Sequence, residues 1–296
     1  MSTSTTAPLH EAPLSDAQVE QFLTAGHVVL EGCFDAAAAA PVIDRAWDRL
    51  GVDRDDPTTW DRPRVHLPSE QHVDAARFAP TAHLAACQLL GGEDRVQTPW
   101  EWSDGIIANL GVGADRPFDP PSARVGGWHE DGDFFRHFLD SPEQGLLTIV
   151  LWTDVLSRGG GTFVATDSVG VVARFLAERP EGVLPEELQQ TPLVEQCRDF
   201  VEITGKQGDV VLMHPFLLHA TSQNVLRAQR LITNPPLSLR EPLRFDREDP
   251  AEFSPVERGV LRGLGVDRFA FAPTAAREDV VPPRLRQRPA DGAAAG

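Results

Sequence analysis

From about residue 96 onward the chain breaks into short apolar and β-branched runs separated by Gly and Pro, and nothing else in it constrains the fold as strongly. The runs cover residues 105–110, 125–131, 145–155, 161–166, 199–204, 208–214, 216–222 and 227–234. Many short strands punctuated by turns predict a barrel or sandwich, because each strand must bury a face against another sheet. No helical period alternates with them, so a parallel doubly wound sheet is not expected. Upstream, Ser15 and Gln18 make a capping box, Val19, Phe22 and Leu23 give an apolar helical stripe, and Gly26 is a stop. A strand over 27–32 and helices over 37–50 and 81–90 follow, around a Pro- and Asp-rich irregular segment at 51–80. The expectation is a mainly β domain over residues 15–279 with flanking helices and an N-terminal helical layer. Ala-, Pro-, Thr- and Gly-rich tails are expected at 1–14 and 280–296.

Composition narrows the function classes. A formal charge of −17 argues against nucleic-acid binding, since a phosphate backbone demands a basic surface. It also disfavours a highly anionic substrate unless a local basic pocket overrides the mean field. Cys33, Cys87 and Cys197 are odd in number and lack a CxxC pair, so they read as free thiols of a cytoplasmic protein. The longest apolar runs fall far short of a membrane span, and the N-terminus lacks the pattern of a secretory signal. The expected partner is a small molecule, with neither nucleic acid nor membrane, and the chain is expected to be a monomer or homodimer.

Nine His and 44 acidic residues in 296 positions predict roughly one His-x-acid triplet by chance, and the chain has two. His72-Val-Asp74 lies in a polar stretch that reads as a surface loop running into a helix. His129-Glu-Asp131 lies in RVGGWHEDGD, where the strand period of two puts both side chains on one face. Two ligands on one face of a strand can hold a metal if a neighbouring strand supplies a third. The supply is GDVVLMHPFLLHATSQNVLRAQRLITN (208–234). A hairpin turning near Asn224–Val225 sets His219 opposite Arg230, with Thr221 on the same face. Metal, hydroxyl and guanidinium on one surface suit a dicarboxylate: its keto-acid end chelates the metal and Arg230 grips the far carboxylate. Two His and one carboxylate leave three open positions on a non-haem iron. His214 is the rival third ligand, but Pro215 follows it and no Arg lies eleven residues on, so it reads as structural.

These segments together resemble the phytanoyl-CoA dioxygenase family, which includes ectoine hydroxylases and many natural-product tailoring enzymes. The likeness runs over about residues 15–240. It rests on QFLTAGHVVLEGCF, the HxD motif, LLTIVLWTDV, RGGGTFVATDS and GDVVLMHPFLLHATSQN with an Arg eleven residues after the distal His. The resemblance implies a double-stranded β-helix (jelly-roll, cupin-like) core and an oxidoreductase dependent on Fe(II) and 2-oxoglutarate. It implies His129, Asp131 and His219 as iron ligands and Arg230 as the clamp on the 2-oxoglutarate C5 carboxylate. Thr221 would assist the clamp, Trp152 would flank the co-substrate, and Asn109 would touch its keto-acid end. Halogenating relatives lack the carboxylate of the HxD motif, so Asp131 favours oxygenation.

The implied reaction is oxidative decarboxylation of 2-oxoglutarate to succinate and CO2, coupled through O2 to attack on an unactivated C–H. Hydroxylation is the first expectation, with desaturation, epoxidation and cyclisation open, and the setting is bacterial secondary metabolism. Two alternatives remain: a 2-oxoglutarate-independent cupin-type metal enzyme, and a non-catalytic metal- or ligand-binding module. Gly159, Gly160 and Gly161 read as a tight turn. Residues 51–80, 111–124 and 132–144 are the expected pocket-lining loops, and Phe134, Phe135 and His137 either border the substrate or sit in an ordinary loop.

Overall fold

Helix α1 (Asp16–Ala25) begins where Ser15 and Gln18 exchange capping bonds and ends where Gly26 takes φ 71° and donates back to the Phe22 carbonyl. The computed structural model that shows this describes residues 12–282. The expected tails therefore lie largely outside the described residues, and their described ends are tied down. Leu14 is buried and exchanges hydrogen bonds with the Gln88 side chain, and the Val280 amide donates to the Phe134 carbonyl. After β1 (His27–Leu30), Asp35 caps α2 (Ala36–Leu50), whose buried Ala39, Ile43, Ala46, Trp47 and Leu50 recur every three or four residues.

The segment expected to be irregular holds β2 (Arg64–His66), β3 (His72–Asp74) and the short helix α3 (Ala75–Phe78). Asp74 accepts from the Ala76 amide and so caps α3, while His72 sits on a two-stranded ribbon with β4 (Glu101–Ser103), which follows α4 (Pro80–Leu90). The second His-x-Asp triplet is thus a helix start on a surface ribbon. The strands β5 (Ile107–Asn109), β6 (Leu146–Leu151) and β7 (Thr162–Ala165) fall inside their expected runs. Residues 125–131 form no strand, only a bridge at His129.

Two helices interrupt the strand series where the sequence suggested none: α5 (Ser168–Ala177) and α6 (Pro185–Gln190). The SVGVVARFLA segment of α5 is apolar nearly all round, which hides the helical period. It packs on α7 (Pro255–Leu264) so tightly that a Cβ on Gly263 would lie 2.5 Å from the Gly170 Cα. The remaining strands are β8 (Phe200–Ile203), β9 (Val210–Met213), β10 (His219–Thr221), β11 (Arg230–Thr233) and β12 (Pro236–Leu237).

The strands form two principal antiparallel sheets. The larger runs β1-β9-β6-β11-β5-β2, with β12 also on β6; the smaller runs β10-β7-β8, extended by the bridge of His129 to His219. This overturns the expected hairpin between His219 and Arg230. A strand has two edges, and both edges of each strand are already taken. β10 pairs with β7 and with His129, and β11 pairs with β5 and β6. The link between them is a crossing from sheet to sheet. Asn224 holds it: its side chain donates to the Asn109 and Ala228 carbonyls and accepts from the Ala228 amide. The expected glycine turn is present, and Gly160 (φ 89°) passes so close that a Cβ would lie 2.8 Å from Asn109 Nδ2.

Candidate metal and anion site

The peptide groups of His129 and His219 exchange two hydrogen bonds of 3.0 Å, which brings the two imidazoles to a ring separation of 4.3 Å. Asp131, two residues beyond His129, returns its side chain to the same point. Its Oδ1 lies 3.4 Å from His129 Nε2 and 3.6 Å from His219 Nε2. Among the described residues this is the one group of three His, Cys, Asp or Glu side chains placed to hold a metal ion. Both rings are aimed by the same device. The Nδ1 of His129 bonds the Gly127 carbonyl at 2.8 Å and the Nδ1 of His219 bonds the Leu217 carbonyl at 3.0 Å. A carbonyl only accepts, so each Nδ1 carries the proton and each Nε2 presents a lone pair to the common centre.

The carboxylate is oriented as well. Asn234 Nδ2 donates to Asp131 Oδ2 at 2.9 Å, which leaves Oδ1 as the oxygen facing the imidazoles. Burial works to raise the Asp131 carboxyl, but the charges and hydrogen bonds of His219 and His129 outweigh it and hold the group far below the usual carboxylate range. Burial likewise works to lower His129, and Asp131 overrides it and raises that imidazole. Three groups that strain toward opposite charges around one point are what a cation replaces. The His129 side chain is 33% exposed against 8% for His219, so the centre is open on the His129 side.

Arg230 lies on the other sheet and still joins the site. It is 3% exposed, its Nη2 donates to Thr162 Oγ1 at 3.1 Å, its Nη1 reaches the Ile107 carbonyl only at 3.5 Å, and its Nε has no partner. Burial, with the charge of Arg64 beside it, pulls the guanidinium down to about 9. An unpaired buried ion costs several kcal/mol, and no carboxylate among the described residues offsets this one. Thr162 stands opposite Thr221 in the β10–β7 register, which puts Arg230 beneath Thr221.

The other expected site residues part company here. Trp152 is a core residue: its Nε1 donates to Thr233 Oγ1 and its ring packs on Phe34 and Phe78. Its neighbours Leu231 and Thr233 alternate with Arg230 and Ile232, so it sits on the opposite face of the sheet from Arg230. Asn109 is opposite Arg230, but its side chain is spent on the backbone, donating to the Ser222 carbonyl and accepting from the Gly111 and Val112 amides. Trp152 is thus turned away from Arg230, whereas Asn109 shares the face of Arg230 with its amide committed to the backbone. His214 is structural: its Nε2 meets the Val256 carbonyl, its Nδ1 accepts from the Phe216 amide, and burial lowers it to about 4. His137 is buried with Nδ1 on Glu130 and Nε2 on the Gly132 carbonyl, so it braces the HxD loop from below.

Sequence reasoning missed Asn234 and Thr162. Asn234 had a signal, since residues 230, 232 and 234 share a face in a strand. Thr162 had none, because only the assembled sheets bring it to Arg230. A cavity of about 1020 Å3 opens on His129 and Thr221. Its walls come from the loops around 112–128, from Arg64, and from Gln189 on α6. Residues 132–144 take no part in it. There the Phe135–Asp279 bridge and the Val280 amide fasten a C-terminal segment over Phe134 and Phe135.

No protein-family model matches the chain, and no curated protein does. Among solved structures it is similar to SnoN, a non-haem alpha ketoglutarate-dependent epimerase from nogalamycin biosynthesis, at 18% identity over 75% of this chain and 82% of that one, with TM-score 0.43. It is similar to EctD from S. alaskensis with bound Fe, at 22% identity over 80% and 83% of the two chains, TM-score 0.45. HygX from Streptomyces hygroscopicus, with nickel and 2-oxoglutarate bound, gives 18% identity over 76% and 87%, TM-score 0.41. Likeness at this level carries nothing about chemistry. What the site can do follows from its own geometry.

Proposed function

We propose that the chain is an Fe(II)- and 2-oxoglutarate-dependent dioxygenase that oxidises, chiefly by hydroxylation, an unactivated C–H of a small organic molecule. The observation that carries this is the pairing of an open His-Asp-His centre with a buried guanidinium that has no counterion. A metal enzyme without a dicarboxylate co-substrate explains the first and leaves Arg230 without a role. Bound Fe(II) would let O2 act as the oxidant, one oxygen atom going to 2-oxoglutarate as it becomes succinate and CO2 and the other to the substrate C–H.

The chain's own residues divide the work. His129 and His219 present Nε2 and Asp131 presents Oδ1, each held by the bond its other polar atom makes. Arg230 grips the far carboxylate of 2-oxoglutarate, with the Thr162 hydroxyl fixing the guanidinium and Thr221 alongside. The cavity beyond His129 receives the substrate. The three buried free thiols support a cytoplasmic location, and no helix among the described residues is long and apolar enough to cross a membrane. A role in bacterial secondary metabolism is the setting we favour.

Reconstitution with Fe(II) under argon, followed by O2 and 2-oxoglutarate, tests the assignment through succinate. Turnover above a His219→Ala control is expected, and its absence with every substrate tried overturns it. Arg230→Ala is expected to raise the 2-oxoglutarate requirement while iron binding stays; loss of iron as well would remove Arg230 from the clamp role.

A further inference from the structure

The wall of the cavity carries three arginines, Arg64, Arg116 and Arg124, against one carboxylate, Asp119. None of the three has a recorded carboxylate partner, and the one side-chain hydrogen bond recorded for them joins Arg64 to His66 Nε2. Arg45, Arg95 and Arg277 by contrast are paired with Asp104, Glu257 and Asp140. The cavity wall thus carries three arginines to one carboxylate in a chain whose acidic residues outnumber its basic ones 44 to 27.

Their positions are fixed by the fold. Arg64 stands opposite Asn109, and Asn109 stands opposite Arg230, so the three share one face of the larger sheet. Arg64 is the exposed end of that row and Arg230 the buried end. Arg64 lines the same cavity as His129. Arg116 rides a loop pinned by Gln223, which donates to the Gly113 and Pro117 carbonyls and accepts from the Asp119 amide. Arg124 rides a loop fastened by Trp128 Nε1 to the Ser122 carbonyl. Trp128 itself faces the cavity and gives it an apolar wall leading to His129.

We propose that the substrate carries an anionic group, a carboxylate or a phosphate, which Arg64, Arg116 and Arg124 hold while its apolar body lies along Trp128 toward His129. The overall charge of −17 does not oppose this. At physiological salt, charges beyond about 8 Å are largely screened, so the arginines in the wall outweigh the distant acidic surface. The cluster is the kind of local basic pocket that the argument from composition left open. The identity of the anion's bearer as substrate rests on the dioxygenase reading; the anion site itself does not.

Calorimetric titration of the full chain with phenyl phosphate, benzoate and neutral benzyl alcohol tests it. At least one anion is expected to bind about tenfold or more tightly than the alcohol, as one or more charge-assisted bonds require. Whichever anion binds more tightly names the source. The advantage should vanish in the Arg64→Gln/Arg116→Gln/Arg124→Gln protein and persist in Arg230→Ala. No advantage over benzyl alcohol, an advantage that survives the triple substitution, or its loss in Arg230→Ala would overturn the proposal, the last by placing the anion at the buried clamp. Should the triple variant unfold, the three single substitutions give the same reading, each expected to weaken the anion about threefold. Succinate formation takes no part in these titrations, so failure of the dioxygenase reading and failure of the anion site remain distinguishable.

Discussion

Arg230 Nη2 donates to Thr162 Oγ1 at 3.1 Å, from a strand of the larger sheet to a strand of the smaller one. The bond holds a guanidinium ready without neutralising it, because a hydroxyl offers no charge. The ligand-free protein therefore bears the cost of an unpaired buried ion, and a bound dicarboxylate relieves it.

Arg230→Met should make the ligand-free protein more stable, by about 1–4 kcal/mol, since an apolar side chain of similar length removes the buried charge. The same change should abolish stabilisation by 2-oxoglutarate, which in the wild type reaches about 2.7 kcal/mol at a hundredfold excess over Kd. Thermal melts with and without Fe(II) and 2-oxoglutarate check both halves.

Asn234→Ala frees Asp131 Oδ2 and lets the carboxylate rotate. Iron affinity should fall about 10- to 100-fold with the fold intact. Metal titration alongside circular dichroism reads this, and an unchanged affinity would make the contact incidental.

Trp152→Phe removes the donor to Thr233 Oγ1 inside the core. A loss of about 1–3 kcal/mol in stability is expected, with the 2-oxoglutarate requirement unmoved. A marked rise in that requirement would return Trp152 to the co-substrate.

His214 gives the protein an acid-sensitive component. Burial holds the folded imidazole at about 4 against an ordinary value of 6.5, so the unfolded chain takes up the proton first as pH falls. Its contribution is complete above pH 6.5 and is lost between 6.5 and about 4, on the order of 3 kcal/mol in all. Denaturant unfolding of wild type and His214→Gln across that window should show the wild type losing more stability. Parallel curves would count against it.

Local signals in this chain were strong where the structure is local. The capping box at Ser15, the apolar stripe through Phe22 and Leu23 and the stop at Gly26 are written within a few residues, and each formed as the pattern dictates. Helix α5 was not legible, because a helix buried on most sides loses the polar face that reveals its period. The register of Arg230 was legible only in part. The spacing from His219 placed it near the site, but the hairpin that spacing suggested does not exist.

The sequence alone determined which side chains alternate onto which face, and so that His129 would travel with Asp131, His219 with Thr221, and Arg230 with Asn234. Which faces meet was decided by the assembled sheets. Strand edges are a limited resource, and once β7 and His129 occupy β10 while β5 and β6 occupy β11, His219 and Arg230 must approach from opposite sheets. That crossing sets Arg230 on Thr162 and sends Trp152 to the far face, and the assembled loops gather three arginines around one cavity, which the net charge alone did not reveal.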